Sequence, residues 1–210
     1  MVDAFAVGSP DDLTPRFNIA PTQDVHCLLG DQSRGAVWRP LRWGLIPFWA
    51  KDPQIGNSII NARAETVSEK PSFRASYKSR RCVVLGTGFY EWRKDGAGKT
   101  PCYISREDQQ PLAFAGLWDC WAQDDAKPVY TCTILTTGAN RFMHAIHHRM
   151  PLILEPDQAL TWIQGDTPQK DLDALAAHQP ELPLQFWPVS KAVNSPRHDS
   201  RELVWPVSVN

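Results

Sequence analysis

The sequence predicts an α+β fold: one β-rich domain over residues 1–210, with helices at its periphery. Three observations lead there. Eighteen prolines cut the 210 residues into short pieces, which favours strands and loops over long helices. The apolar runs are short and bounded by glycine, proline or polar turn residues. No repeat, low-complexity tract or linker divides the chain, and 42% apolar content suffices for a core.

Ser9-Pro10-Asp11-Asp12 is a helix start, with a capping serine and acids near the positive end of the dipole, and Pro15 limits it to little more than a turn. Val25–Leu29 and Ala36–Trp38, with Gly30 and Gly35 between them, predict a hairpin. Gly44 and Pro47 forbid regular structure in Trp43–Trp49, the densest aromatic stretch. Ile59-Ile60 predict a strand that Asn61 ends, and residues 68–79 a weakly amphipathic helix with Pro71 near its start. Cys82–Leu85 predicts a buried strand, bent by Gly86 and Gly88. Lys94–Lys99 predicts a hairpin tip before strand Cys102–Ile104. Leu112–Trp118 and Tyr130–Leu135 are further strands, with Asp124-Asp125 in the loop between them and a turn from Thr136 to Asn140. Leu152–Leu154 is a strand, Pro156–Gln164 a helix closed by Gly165, and Thr167-Pro168 opens another helix toward His178.

Five dispersed cysteines, four of them in apolar runs, fit neither a disulfide framework nor a zinc ribbon. No apolar stretch reaches membrane-spanning length, and no basic region followed by an apolar core opens the chain, so a soluble, unsecreted protein is expected. The net charge of −1 excludes a strongly basic overall field. Residues 63–94 nevertheless hold eight basic side chains against three acidic ones. That surplus suits either phosphate contacts or a solvated loop face.

The chemistry-bearing residues are few. Glu91 lies between Tyr90 and Trp92, directly after the buried strand. Strand alternation puts Phe89 and Glu91 on one face and Tyr90 and Trp92 on the other. A carboxylate set among aromatics loses water, which favours its protonated form and suits it to proton transfer. The alternative is an edge-strand glutamate that faces water or pairs with Arg93. The Trp43–Trp49 rings could stack against bases or fold over the core. Asn61 could orient a substrate oxygen or cap a turn. His144, His147 and His148 crowd five residues; a helical face could pair two of them on a metal, and a single general acid/base histidine is the other reading.

Seven stretches, in order, carry a resemblance: Asn18–Pro21, Trp43–Trp49, Asn61–Thr66, Gly88–Trp92, Ala115–Trp118, Ile146–Pro151, and Pro188–Ser190 with Val193-Asn194. Together they resemble the SRAP family, the SOS response-associated peptidases or abasic-site processing proteins. The resemblance implies a barrel-like mixed sheet with peripheral helices. It implies a sensor of abasic sites in single-stranded DNA that forms a DNA–protein crosslink. Asn61 would hold the reacting amine and sugar, Glu91 would shuttle protons, and His147 would assist ring opening. Arg63 and Arg149 would contact phosphates, and Trp43, Phe48, Trp49, Asn18 and Thr137 would complete the DNA-binding set. The peptidase label comes from release of the family's own initiator methionine, and later of the protein from DNA, at the same site. No cofactor or metal is implied. The implied partner is single-stranded DNA containing abasic sites, met by a monomer in the cytoplasm, beside the nucleoid in a bacterium, and away from membranes.

One departure stands out. The family opens Met-Cys-Gly-Arg-Phe, whereas this chain opens Met1-Val2-Asp3-Ala4-Phe5. Val2 therefore stands at the nucleophile position, and Asp3 and Ala4 at the glycine and arginine. Without a thiol, an imine from the Val2 amine cannot close to a thiazolidine. The alternative reading is a noncovalent single-strand or junction binder with an inactive site.

Overall fold

The structure, a computed structural model, describes residues 14–33, 35–96, 98–123, 127–177 and 182–208. The expected helix start at Ser9–Asp12 and the Asp124-Asp125 loop lie outside them, as do Val2, Asp3 and Ala4. The fold is α+β, dominated by sheet. Strands β1 (Asp24–Asp31) and β2 (Gly35–Trp43) form the expected antiparallel hairpin, in register from Asp24 opposite Arg42 to Asp31 opposite Gly35. Gly35 sits at φ +74°, a left-handed conformation that glycine takes without steric cost.

The other edge of β1 pairs antiparallel with β4 (Arg81–Gly86), and β4 with β7 (Leu112–Trp121). Strand β7 pairs antiparallel with β8 (Val129–Gly138). The start of β8 returns to β2 through a parallel contact of only two residue pairs, Arg42 with Thr131 and Trp43 with Cys132. The sheet thus curls into a ring without a full seam. Three short strands extend it: β3 (Asn61–Arg63) parallel to β8, β9 (Arg149–Pro151) antiparallel to β8, and β10 (Ile153–Leu154) antiparallel to β7. A second, antiparallel sheet has the order β11 (Leu184–Pro188), β6 (Gly98–Arg106), β5 (Phe89–Asp95).

Alternation along each ring strand sorts the core into two layers. Cys27, Leu29, Cys82, Val84, Phe114 and Cys132 share the inner cluster, joined by Ile104 and Cys102 of the second sheet. Leu28, Val83, Ala115, Leu117 and Leu135 point the other way, beneath the helical side with Trp162. The inner thiols lie close together, Cys27 Sγ 3.9 Å from Cys132 Sγ, and burial pushes the Cys27 and Cys82 thiols up. All five cysteines are free.

Helix α1 (Arg74–Ser79) is half the expected length, because residues before it form turns and Pro71 has no N–H to donate. Helix α2 (Pro156–Ile163) opens with a Glu155/Gln158 capping box and ends on extended Gln164 rather than on a left-handed glycine. Helix α3 (Gln169–Ala177) follows as expected. Two strand expectations need correction. Ile59-Ile60 are not a strand, and Asn61 begins β3 instead of ending it; the Ile59 carbonyl is taken by Leu45 N–H and that of Ile60 by Ile134 N–H. The turn expected at Thr136–Gly138 is the continuation of β8, because β9 supplies a partner there.

The basic surplus of residues 63–94 does not form one surface. Arg81 is 2% exposed and donates to the carbonyls of Tyr77, Lys78, Trp162 and Gln164. Arg80 pairs with Asp119 and Arg93 with Asp95.

The first described segment is fastened to the last. Asn18 Nδ2 donates to the carbonyls of Val193, Ser195 and His198, and Asp199 accepts from the N–H groups of Phe17 and Asn18 and pairs with Arg16. Burial raises the Asp199 carboxyl, but Phe17 N–H, Arg16 and Asn18 N–H outweigh it and hold the group below the ordinary carboxylate value. A depressed native pKa gives stability that is present in full above the unfolded value, about 3.9, and is lost as pH falls through the native one. Asp199→Asn is expected to lower stability by about 2 kcal/mol at pH 7. The gap from the parent should close as pH drops below about 4, read from urea midpoints at each pH.

Candidate functional site

A cleft of about 340 Å³ opens where the short strands β3 and β9 flank the end of β8 and meet β5 of the second sheet. Its lining includes Trp43, Asn61, Arg63, Glu91, His147 and Arg149, with Phe89, Tyr90, Phe114, Ile134 and Thr136 among the walls.

Strand geometry delivers these side chains. In β3, Ala62 is 1% exposed and buried in the core, so Asn61 and Arg63 both project outward on the opposite face. In β5, Phe89 packs edge-on against Phe114, with centroids 5.9 Å apart, while Tyr90 and Trp92 join Tyr103 and Val189 on the other layer. Glu91 is left on the Phe89 face at the cleft, as expected from alternation. It is not sealed among aromatics: its side chain is 26% exposed, and Oε1 accepts from Trp92 N–H. Trp43 donates its indole N–H to the Ile60 carbonyl at 2.8 Å, which fixes the approach to Asn61.

His147 follows a single 3-10 turn, Met143–Ala145, so the helical face that could have paired two histidines on a metal does not exist. Its Nδ1 lies 3.1 Å from Arg149 N and 3.2 Å from Arg149 O. A neutral imidazole can accept from that N–H, and an imidazolium can donate to that carbonyl. One residue's backbone therefore supports both protonation states, which suits a proton-transfer group. Glu91 Oε2 stands 3.9 Å from the same nitrogen, an ion-pair distance rather than a hydrogen bond. The His147 and His148 rings are 4.3 Å apart.

Other expected residues lie elsewhere. Asn18 is 6% exposed, outside the cleft lining, and donates its amide to the carbonyls of Val193, Ser195 and His198, a structural duty. Thr137 is half-buried opposite Met150, and its neighbour Thr136 faces the cleft. Phe48 and Trp49 are 55% and 48% exposed but do not line the cleft. Phe48 is held by its N–H on buried Asp119, with the Arg80 guanidinium 5.8 Å from its ring. Among the eight basic residues of 63–94, Arg63 is the one in the cleft lining. Two participants escaped the sequence reading. Thr136 would have emerged had β8 been carried past Leu135, since it shares a face with Ile134. Glu65 pairs with Arg149, and that pairing holds its carboxyl below the ordinary value.

The family model described as "SOS response associated peptidase (SRAP)" matches residues 2–196. The chain is 42% identical over 192 residues to the "Abasic site processing protein YoaM" of Bacillus subtilis, covering 90% of this chain and 84% of that protein. It is 34% identical to the "Abasic site processing protein HMCES" of Xenopus tropicalis, across 94% of this chain and 68% of that one. A crystal structure of a protein from Bacteroides thetaiotaomicron superposes with a TM-score of 0.79 at 29% identity, covering 89% of this chain and 82% of that chain.

Because Glu91 and His147 are partly exposed and 3.9 Å apart, their pairing contributes little to stability. Glu91→Gln is expected to leave the melting free energy within about 1 kcal/mol of the parent. A loss of several kcal/mol would make Glu91 half of a structural ion pair instead.

Proposed function

The chain belongs to the SOS response associated peptidase (SRAP) family, and we propose that it processes abasic sites in single-stranded DNA, with the cleft holding the ring-opened sugar. The observation that carries this reading is the convergence of Asn61, Arg63, Glu91, His147 and Arg149, from separate strands and a loop, on one cleft. Its volume, about 340 Å³, suits a sugar with its flanking phosphate better than a stacked base pair.

In this reading the Asn61 amide orients the sugar oxygen and the attacking amine. His147, backed by both the donor and the acceptor of Arg149, passes the proton that opens the furanose. Glu91 takes and returns protons at the attacking nitrogen and at the oxygen that leaves the former aldehyde carbon as water. Arg63 grips a flanking phosphate. Exposed Phe48 and Trp49 offer rings to neighbouring bases outside the cleft. Asn18 has no part in DNA contact. The 210 residues act as one domain and one copy, needing no cofactor, in the compartment that holds the DNA. Among the described residues no helix is long and apolar enough to cross a membrane.

The first bond is made by the family's residue 2, here Val2, which lies outside the described residues. Hydrolysis of the Met1–Val2 bond frees the Val2 nitrogen as an α-amine, which with an ordinary pKa of about 7.7–8.0 is partly neutral near pH 7 and can attack the aldehyde carbon. Loss of water leaves an imine. Valine has no thiol to add to it, so the adduct stays hydrolysable or lets the strand break by β-elimination.

Borohydride reduces an imine to a stable amine. Incubation with an abasic single-stranded oligonucleotide is therefore expected to give a protein–DNA mass adduct only when borohydride is present. Val2→Cys combined with Asp3→Gly and Ala4→Arg should give a stable adduct without it. If borohydride traps nothing while the triple variant crosslinks readily, the native chain is a noncovalent single-strand binder.

A further inference from the structure

The two arginines of the cleft are not equivalent. Arg149 Nη1 donates to Glu65 Oε1 at 2.6 Å, and Nη2 donates to Glu65 Oε2 at 3.0 Å, a bidentate fork. Nη2 also donates to the Thr136 carbonyl at 2.6 Å, with Thr136 Oγ1 3.2 Å away. Nε is buried and finds no acceptor among the described residues. A guanidinium has five N–H donors. Two go to the carboxylate, one to the carbonyl, and the one on Nε faces the interior. A single Nη1 hydrogen is left, and one hydrogen cannot form the paired grip by which arginine recognises a phosphate. The Arg63 side chain, in contrast, makes no hydrogen bond or ion pair among the described residues, and it lines the same cleft.

Glu65 is placed for this by sequence. Asn61 and Arg63 project from β3, and the chain then turns through the 3-10 segment Ala64–Thr66, which buries Ala64 and turns Glu65 outward. Its side chain is 50% exposed, so water and competing anions can reach the pair. Arg149 first, and Arg63 by its charge, hold the carboxyl below its ordinary value, so the pair stays ionised at neutral pH.

We propose that Glu65 is a built-in competitor of DNA phosphate: its carboxylate and a backbone phosphate contend for the same Arg149 fork, and Glu65 thereby limits how tightly the cleft holds a single strand. The inference rests on the single-strand reading above. Arg63 is the standing phosphate contact. Arg149 joins only when a phosphate displaces the carboxylate, so undamaged strand is held loosely. A strand anchored through its abasic sugar gains the second contact by proximity.

The test is the affinity of the full chain for an undamaged oligothymidylate, by fluorescence anisotropy across a salt series. Glu65→Gln and Glu65→Ala are expected to tighten binding about 3–10-fold at low salt, and to steepen the slope of log K against log salt by about 0.7, one more phosphate on a single strand. Arg149→Ala should remove the gain in either double variant, because the fork that the phosphate would take is gone. Arg63→Ala should weaken binding in every background. If both Glu65 variants weaken binding as much as Arg149→Ala does, Glu65 positions Arg149 for DNA, and the competitor role is wrong. Parental binding that is absent, or flat with salt and untouched by Arg63→Ala, would sink the single-strand reading, and the competition with it.

Discussion

The helical side of the molecule depends on one buried guanidinium. Arg81 opens β4, in the middle of the ring sheet, and reaches carbonyls at the C-terminal ends of both α1 and α2. A helix end leaves its last carbonyls without partners, and two such ends meet here in the interior. A positive charge suits the negative ends of both dipoles, and no acidic side chain hydrogen-bonds it among the described residues. Burial draws the Arg81 pKa down, as expected for a cation taken from water, yet four carbonyl bonds replace the lost hydration. Trp162 finishes the junction by donating its indole N–H to the carbonyls of Cys82 and Gly116 on the same strands. With α2 locked to β4 and β7, the ring has a fixed outer wall, and the opposite face of its strands is free to meet the second sheet.

That division of labour explains where the cleft lies. Strand β4 runs directly into β5 through Gly86-Thr87-Gly88, so the buried ring strand and the strand bearing Glu91 are consecutive. Gly88 admits no side chain, since a Cβ there would stand 2.4 Å from the Ile104 carbonyl oxygen. The two short strands beside β8 each bury their middle residue, Ala62 or Met150, and present the residues around it. Apart from His147, which sits on the short loop before β9, the cleft's polar side chains are set by strand register, which limits their freedom to the range of a rotamer. The Glu65–Arg149 fork adds a graded element to that frame.

The amino-acid sequence carried the fold class and most elements, because alternation and turn chemistry are local signals. The β1–β2 hairpin, β4, β7 and α2 all emerge within a few residues. It also carried Trp43, Asn61, Arg63, Glu91, His147 and Arg149, which the fold gathers on one cleft. What it did not carry depends on partners far away in the chain. Arg80 and Arg81 are neighbours of like charge, yet one is partly exposed and pairs with buried Asp119, and the other is buried against two helix ends. Charge counting cannot separate them. Asn18 resembles a binding residue until the C-terminal carbonyls that occupy it are located. The extension of β8 through Gly138 depends on β9, a three-residue strand too short for any periodic signal, and with it went Thr136.

In the proposed function, damaged single strand is held in the cleft between β3, β5 and β9. Chemical-shift mapping of the isotope-labelled chain with an abasic single-stranded oligonucleotide tests it most directly. The largest shifts are expected on Asn61–Arg63, Phe89–Glu91 and His147–Arg149, with the exposed apolar pair Trp205 and Val207 unmoved. Shifts concentrated at Trp205 and Val207, with the cleft amides unchanged, would contradict it.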